Sequence, residues 1–96
     1  MTKVAVNGIG TIGKRVAEAV KKQGDMELFG VADVKPHGEL KTVLSEEGAL
    51  YKTSLYGSNS EGVKNLEEDG MIVEGELEDV IDEVDVVVDA TPSGVD

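Results

Sequence analysis

The chain has 96 residues, no cysteine, and 20 acidic against 9 basic residues, for a formal net charge of -11. The missing cysteine excludes a disulfide framework, a cysteine-bound zinc or iron–sulfur site and a thiol nucleophile. Gly at 12 and Pro at 2 exclude collagen and proline-rich disorder.

Taken in chain order, Lys3 to Asn7 reads as a short parallel strand that runs into Gly8. Ile12, Val16, Ala19 and Val20 recur at helical spacing, and Gly24 and Asp25 are placed to end that helix. Met26 to Val34 has the length and apolar content of a second strand, broken by Lys35-Pro36-His37-Gly38. A helix is expected over 39–47 with Leu40, Val43 and Leu44 on one side and Gly48 at its end. Ala49 to Tyr56 reads as a third strand near an edge. Ser58 or Ser60 can then cap a helix over 61–69. Met71 to Val73 suits a short strand, and Leu77, Val80 and Ile81 a short helical stripe. Val84 to Asp89 holds Val86, Val87 and Val88 in succession, the pattern of a parallel strand buried on both faces. Alternating strands and helices imply an α/β fold, a three-layer half domain with a mainly parallel sheet. Residues 1–96 are read as one such domain, truncated or engineered from a larger one.

The charge is uneven. Residues 1–48 hold 7 acids and 7 bases, whereas residues 49–96 hold 13 acids and 2 bases. An acidic surface of this kind speaks against nucleic-acid binding, which needs a basic one. The acidic run reads as a solvated face and lacks the EF-hand spacing, so no metal site is expected. No apolar run reaches the length of a membrane span and the first residues lack signal-peptide regions, so a soluble, cytoplasmic protein is expected.

The most informative stretch is Asn7-Gly8-Ile9-Gly10-Thr11-Ile12-Gly13, a Gly-x-Gly-x-x-Gly set between a strand and a helix. Gly8 allows the tight turn, Gly10 lets a pyrophosphate approach the backbone, and Gly13 lets helix pack on strand. The free amides and positive dipole end of the helix then favour phosphate. Asp33 lies 20 residues beyond Gly13, at the end of the second strand. A carboxylate there can accept both ribose hydroxyl hydrogens of an adenosine and repel a 2'-phosphate, which favours NAD over NADP. Val34 and Lys35 adjoin it. Lys35 blunts the preference, by contacting a phosphate or simply by remaining exposed. The alternatives are a glycine turn kept for structure alone, and an Asp33 that caps the next turn. After the last strand, Asp89-Ala90-Thr91-Pro92-Ser93-Gly94 borders the same crevice if the first and last strands are neighbours. Thr91, Ser93 and Gly94 can then face ribose or phosphate, with Asp89 orienting loop amides.

For catalysis the chain offers little. Its one histidine, His37, is expected to be a solvent-exposed loop residue, and no nucleophile–base set can be assembled. No catalytic residue is assigned.

The opening Val4 to Ala17, with Asn7 ahead of the glycines, resembles that of archaeal-type phosphorylating glyceraldehyde-3-phosphate dehydrogenases. Val84 to Val95 resembles a later strand and loop of their cofactor domain. Homoserine dehydrogenase-like and dihydrodipicolinate reductase-like domains are the nearest competitors. The resemblance implies a Rossmann-like cofactor domain in which Asn7, Gly8, Gly10, Thr11, Ile12 and Gly13 surround the pyrophosphate. It places Thr91 and Gly94 beside the cofactor nearer its nicotinamide end. Family members often carry Thr or Lys near the position of Asp33 and accept NADP as well as NAD, so Asp33 is a departure that moves the expectation toward NAD. The family's catalytic Cys and His have no counterpart in these residues. Family members are commonly homo-oligomers, whereas this chain alone is compatible with a monomer. The expected function is therefore an NAD-binding module with no turnover of its own. The alternatives are a structural or designed minimal domain and a nucleotide-sensing regulatory domain.

Overall fold

The computed structural model describes residues 1–91. Its elements alternate: β1 (Thr2–Asn7), α1 (Thr11–Lys22), β2 (Met26–Asp33), α2 (Gly38–Leu44), β3 (Leu55–Gly57), α3 (Ser60–Glu68), α4 (Leu77–Val80) and β4 (Val86–Asp89). The strands form one sheet in the order β3-β2-β1-β4, and every pairing is parallel. Strand order therefore reverses between β1 and β4, the place where open α/β sheets form a crevice at their carboxyl ends. This is an α/β fold of the Rossmann-like half-domain kind.

Successive residues of a strand face opposite sides, and β1 divides its residues accordingly. Val4 and Val6 join one core with Ala17 and Val20 of α1, Leu40 and Val43 of α2, and Leu66 of α3. Ala5 points the other way and meets Leu77 and Val80 of α4 with Ala32 and Tyr56. Three helices thus cover one face and a single turn of helix the other.

Several boundaries differ from the sequence reading for local reasons. The buried stripe of α1 is Gly13, Ala17 and Val20, while Ile12 and Ala19 face outward. Gly13 must face the β1 turn, and that rotates the whole helix. The helix ends at Lys22 with Gln23 as its C-cap, ahead of Gly24. The expected strand from Ala49 shrinks to β3 because local turns take its amides. Leu50 donates to the Val43 carbonyl at 2.9 Å, and Thr53 donates to the Leu50 carbonyl at 3.0 Å. Leu50 is still fully buried, but as a plug under the turn. Asn59, not Ser58 or Ser60, caps α3, its side-chain oxygen accepting from Gly62 N–H at 2.7 Å. Met71 to Val73 forms no strand; the chain joins the β3 edge further on, where Glu74 N–H donates to Leu55 and Gly57 N–H to Gly75. Ile81 lies outside α4 and is exposed. β4 departs from the expected strand buried on both faces: Val87 and Val88 are only partly buried and Val86 is 45% exposed, because among the described residues only β1 pairs with this strand.

Candidate functional site: the cleft at the carboxyl ends of β1 and β2

Three glycines shape the β1–α1 turn, and they are not equivalent. Gly8 has φ +90°, a conformation that L side chains rarely adopt. Gly13 has no room for a side chain, since a Cβ there would lie 1.8 Å from the Gly8 carbonyl oxygen. Gly10 is different. A Cβ at Gly10 would meet none of the described residues within 4 Å. Its φ of -90° suits any residue. It is the N-cap of α1, yet no side chain accepts from the first turn, and that turn contains no acid. Among the described residues no side chain caps the amides at this end, and Gly10 borders an open space.

That space is a cleft of about 740 Å³, within the range of small-molecule sites. Gly8, Ile9 and Gly10 form one wall, Asp33, Val34 and Lys35 the second, and Asn59, Glu61, Gly62 and Asn65 of the α3 end the third. His37 and Thr91 complete it.

Asp33 stands at the end of β2 and is only 8% exposed. Its carboxylate is held from three directions. One oxygen, Oδ2, accepts from Ile9 N–H at 3.0 Å and from His37 Nε2 at 3.0 Å. The other, Oδ1, accepts from Val34 N–H at 2.8 Å. A carboxylate oxygen has about two acceptor places. Oδ2 is therefore filled among the described residues, and one place on Oδ1 is left. Asp33 was expected to be free for two ribose hydroxyls; three of its acceptor places are taken by protein donors.

His37 is also not the loose loop residue expected from the sequence. It caps α2, its Nδ1 accepting from Leu40 N–H at 3.3 Å. An accepting Nδ1 leaves the ring proton on Nε2, which donates to Asp33. The spacing carried a readable sign, a side-chain acceptor three residues before the first buried position of a helical stripe. Asn59, Gly62 and Asn65 were missed too. Gly62 lets α3 approach the strand end, where a Cβ would lie 2.9 Å from the Asp33 carbonyl oxygen. Asn65 Nδ2 donates to the Val34 carbonyl at 3.0 Å.

The remaining expected residues are spread more widely. Asn7 turns its side-chain oxygen to the Ser58 hydroxyl and ties β1 to the β3–α3 connection. Thr11 reaches toward Glu39, and Ile12 is 70% exposed beyond the cleft. Gly13 is buried. Thr91 lies against Gly8, with its hydroxyl and amide both donating to Asp89. Those two bonds, the hydroxyl first, hold the Asp89 carboxyl below its ordinary pKa. Gly94, with Pro92 and Ser93, lies outside the described residues.

The turn, the strand reversal and the strand-end carboxylate are features of cofactor domains, and comparison with known proteins agrees. A family profile described as "Dihydrodipicolinate reductase, N-terminus" matches residues 2–96. The chain belongs to this family. The chain resembles the N-terminal part of archaeal glyceraldehyde-3-phosphate dehydrogenases. It is 52% identical over 95 residues to the glyceraldehyde-3-phosphate dehydrogenase of Metallosphaera sedula, covering 99% of this chain and 26% of that protein. The enzyme of the same name from Pyrococcus abyssi is 48% identical over 93 residues, covering 97% of this chain and 26% of that protein. That of Sulfolobus acidocaldarius is 45% identical over 93 residues, or 97% of this chain and 25% of that protein. The chain thus spans about a quarter of the length of the curated relatives it matches.

Proposed function

We propose that this chain is a dinucleotide-binding module of a glyceraldehyde-3-phosphate dehydrogenase-like oxidoreductase, taking NAD in preference to NADP and performing no turnover by itself. One observation carries the reading: Gly10 is the glycine of the turn that the protein's own packing does not need. Gly8 is required by its φ and Gly13 by the backbone beside it, whereas Gly10 faces the cleft with nothing near. A ligand that lies against the backbone there supplies the missing reason.

In this reading the first amides of α1 and the turn around Gly10 hold the pyrophosphate. Asp33 accepts a ribose hydroxyl on Oδ1 and opposes a 2'-phosphate by charge. Val34 and Lys35 border the adenosine, and Thr91 borders the crevice on the β4 side, with Gly94 assigned nearby. Asn7 positions the turn through Ser58, and Thr11, Ile12 and Gly13 supply the helix end. The bound cofactor would supply a hydride acceptor. The chain has no cysteine to hold an aldehyde covalently beside it, so oxidation of an aldehyde phosphate is assigned to parts of the relatives that this chain does not span.

The test is a titration with NAD followed by amide chemical shifts and calorimetry. Saturable shifts at Gly8 to Gly13 and Asp33 are expected. Gly10→Ala should weaken NAD at least about tenfold, while the melting temperature falls only by the few degrees that alanine costs at a helix N-cap, since no described residue lies within 4 Å of its Cβ. A titration without saturable shifts would overturn the reading. One observation favours the second reading, a domain that keeps the turn for structure alone: Asp33 already has protein donors on both oxygens.

A further inference from the structure

The bonds around Asp33 contain an arrangement that the dinucleotide reading does not use. A ribose diol that binds a carboxylate in two-fold fashion needs one acceptor place on each oxygen. Val34 N–H leaves one place open on Oδ1. On Oδ2 the two places go to Ile9 N–H and His37 Nε2. Ile9 is fully buried and its amide belongs to the turn, so that bond is fixed by the fold. The His37 bond is not. The ring is 31% exposed and lines the cleft, and its contact with Asp33 is a side-chain bond that a substitution can remove without touching the turn.

We propose that His37 is a positioning residue that sets the cofactor choice of this site, by occupying the Asp33 acceptor place that a second ribose hydroxyl would take and by damping the charge that repels a 2'-phosphate. The proposal rests on the dinucleotide reading above. Two effects act in the same direction. With His37 in place, an NAD ribose gains one hydrogen bond to Asp33 where it would otherwise gain two. A 2'-phosphate, in turn, meets a carboxylate already shared among three donors, with the Lys35 ammonium on the same wall. The other charged group lining the cleft is Glu61 of α3, and Glu39 of α2 is directed to Thr11. His37 therefore narrows the gap between the two cofactors that Asp33 alone would open.

The two nitrogens of the ring allow the roles to be separated. His37→Asn keeps an acceptor at the reach of Nδ1, so the cap on Leu40 N–H remains, but nothing reaches Asp33. His37→Gln carries an N–H at the reach of Nε2, so the donor to Asp33 remains, but the cap is lost. NAD and NADP are titrated into all three proteins and the ratio of their dissociation constants is read. His37→Asn is expected to raise the preference for NAD about tenfold. His37→Gln is expected to keep the ratio of the unaltered chain, although its melting temperature falls. An unchanged ratio in His37→Asn overturns the proposal, as does an equal rise in both variants, which would trace the change to α2 and not to Asp33. If the unaltered chain binds neither dinucleotide, the dinucleotide reading itself fails. That outcome is distinct from binding with an unaltered ratio.

Discussion

Two aspartates close the two strands that flank β1, and they have opposite surroundings. Asp33 ends β2 and Asp89 ends β4, at nearly the same level beside Asn7. Asp33 is buried and draws donors from the β1–α1 turn, from its own loop and from the head of α2. Asp89 is exposed and, among the described residues, draws donors only from Thr91, two residues on. A carboxylate can be buried only where partners meet it, and on the β2 side the β1–α1 turn, the β2–α2 loop and the head of α2 provide them. On the β4 side no described element covers the strand end. The β2 side of the crevice is thus walled by packed elements, while on the β4 side Thr91 is the described residue that lines it.

Removing each aspartate should expose the contrast most strongly. Asp33→Ala leaves the buried Ile9 N–H without an acceptor and frees His37, at a cost of about 2–3 kcal/mol. For a small domain that is a large share of total stability. Asp89→Ala leaves donors that water can reach, and its unfolding midpoint should fall only slightly below that of the unaltered chain. Urea unfolding of the two variants decides it. Equal losses would mean that the burial of Asp33 does not matter to the fold.

How far the sequence disclosed this arrangement follows from the same contrast. Residues that act through local pattern were legible. Gly8, Gly10 and Gly13 announced the turn by spacing, and Asp33 announced itself by distance from them and by strand-end position. The parallel order of the sheet followed from the alternation of strand and helix. What escaped was decided by pairing across the chain. The Ser58–Asn7 bond joins residues 51 apart, so Ser58 was read as a helix cap when it is a tether. The valines of β4 have the composition of a central strand but the neighbours of an edge strand, and composition does not count neighbours. Leu50 reads as a strand residue because it falls in the segment Ala49 to Tyr56, yet the amides around it are taken by turns. His37 escaped because its two bonds lie on two elements, the α2 amide and the β2 carboxylate.

Strand dynamics offer a finer measure of the same difference. β2 is paired on both sides, by β1 and β3, whereas β4 is paired on one. Amide hydrogen exchange should accordingly be slower in Val31 to Asp33 than in Val86 to Asp89, by about tenfold or more on average after correction for intrinsic rates. Equal protection would show that β4 is held by something other than β1, and the crevice would then be closed on both sides.

The smallest expected effect concerns pH at Asp89. Bonds from the Thr91 hydroxyl and amide keep its carboxyl below the ordinary value in the folded chain. A carboxyl whose pKa is lowered on folding adds stability above its unfolded pKa, and that contribution is lost as pH falls through the folded value. Asp89→Asn keeps an oxygen for the two donors but removes the titrating charge. The melting temperature of the unaltered chain should therefore lie slightly above that of the variant near neutral pH. The gap should close as the medium is acidified below the ordinary carboxylate range, about pH 4. Asp89 is fully open to water, so the gap at neutral pH is small and its direction is the informative quantity. A gap that widens on acidification would place the opposing influence, burial, ahead of the Thr91 bonds, and Asp89 would then belong with Asp33 as a buried member of the crevice and not as the carboxylate of an open loop.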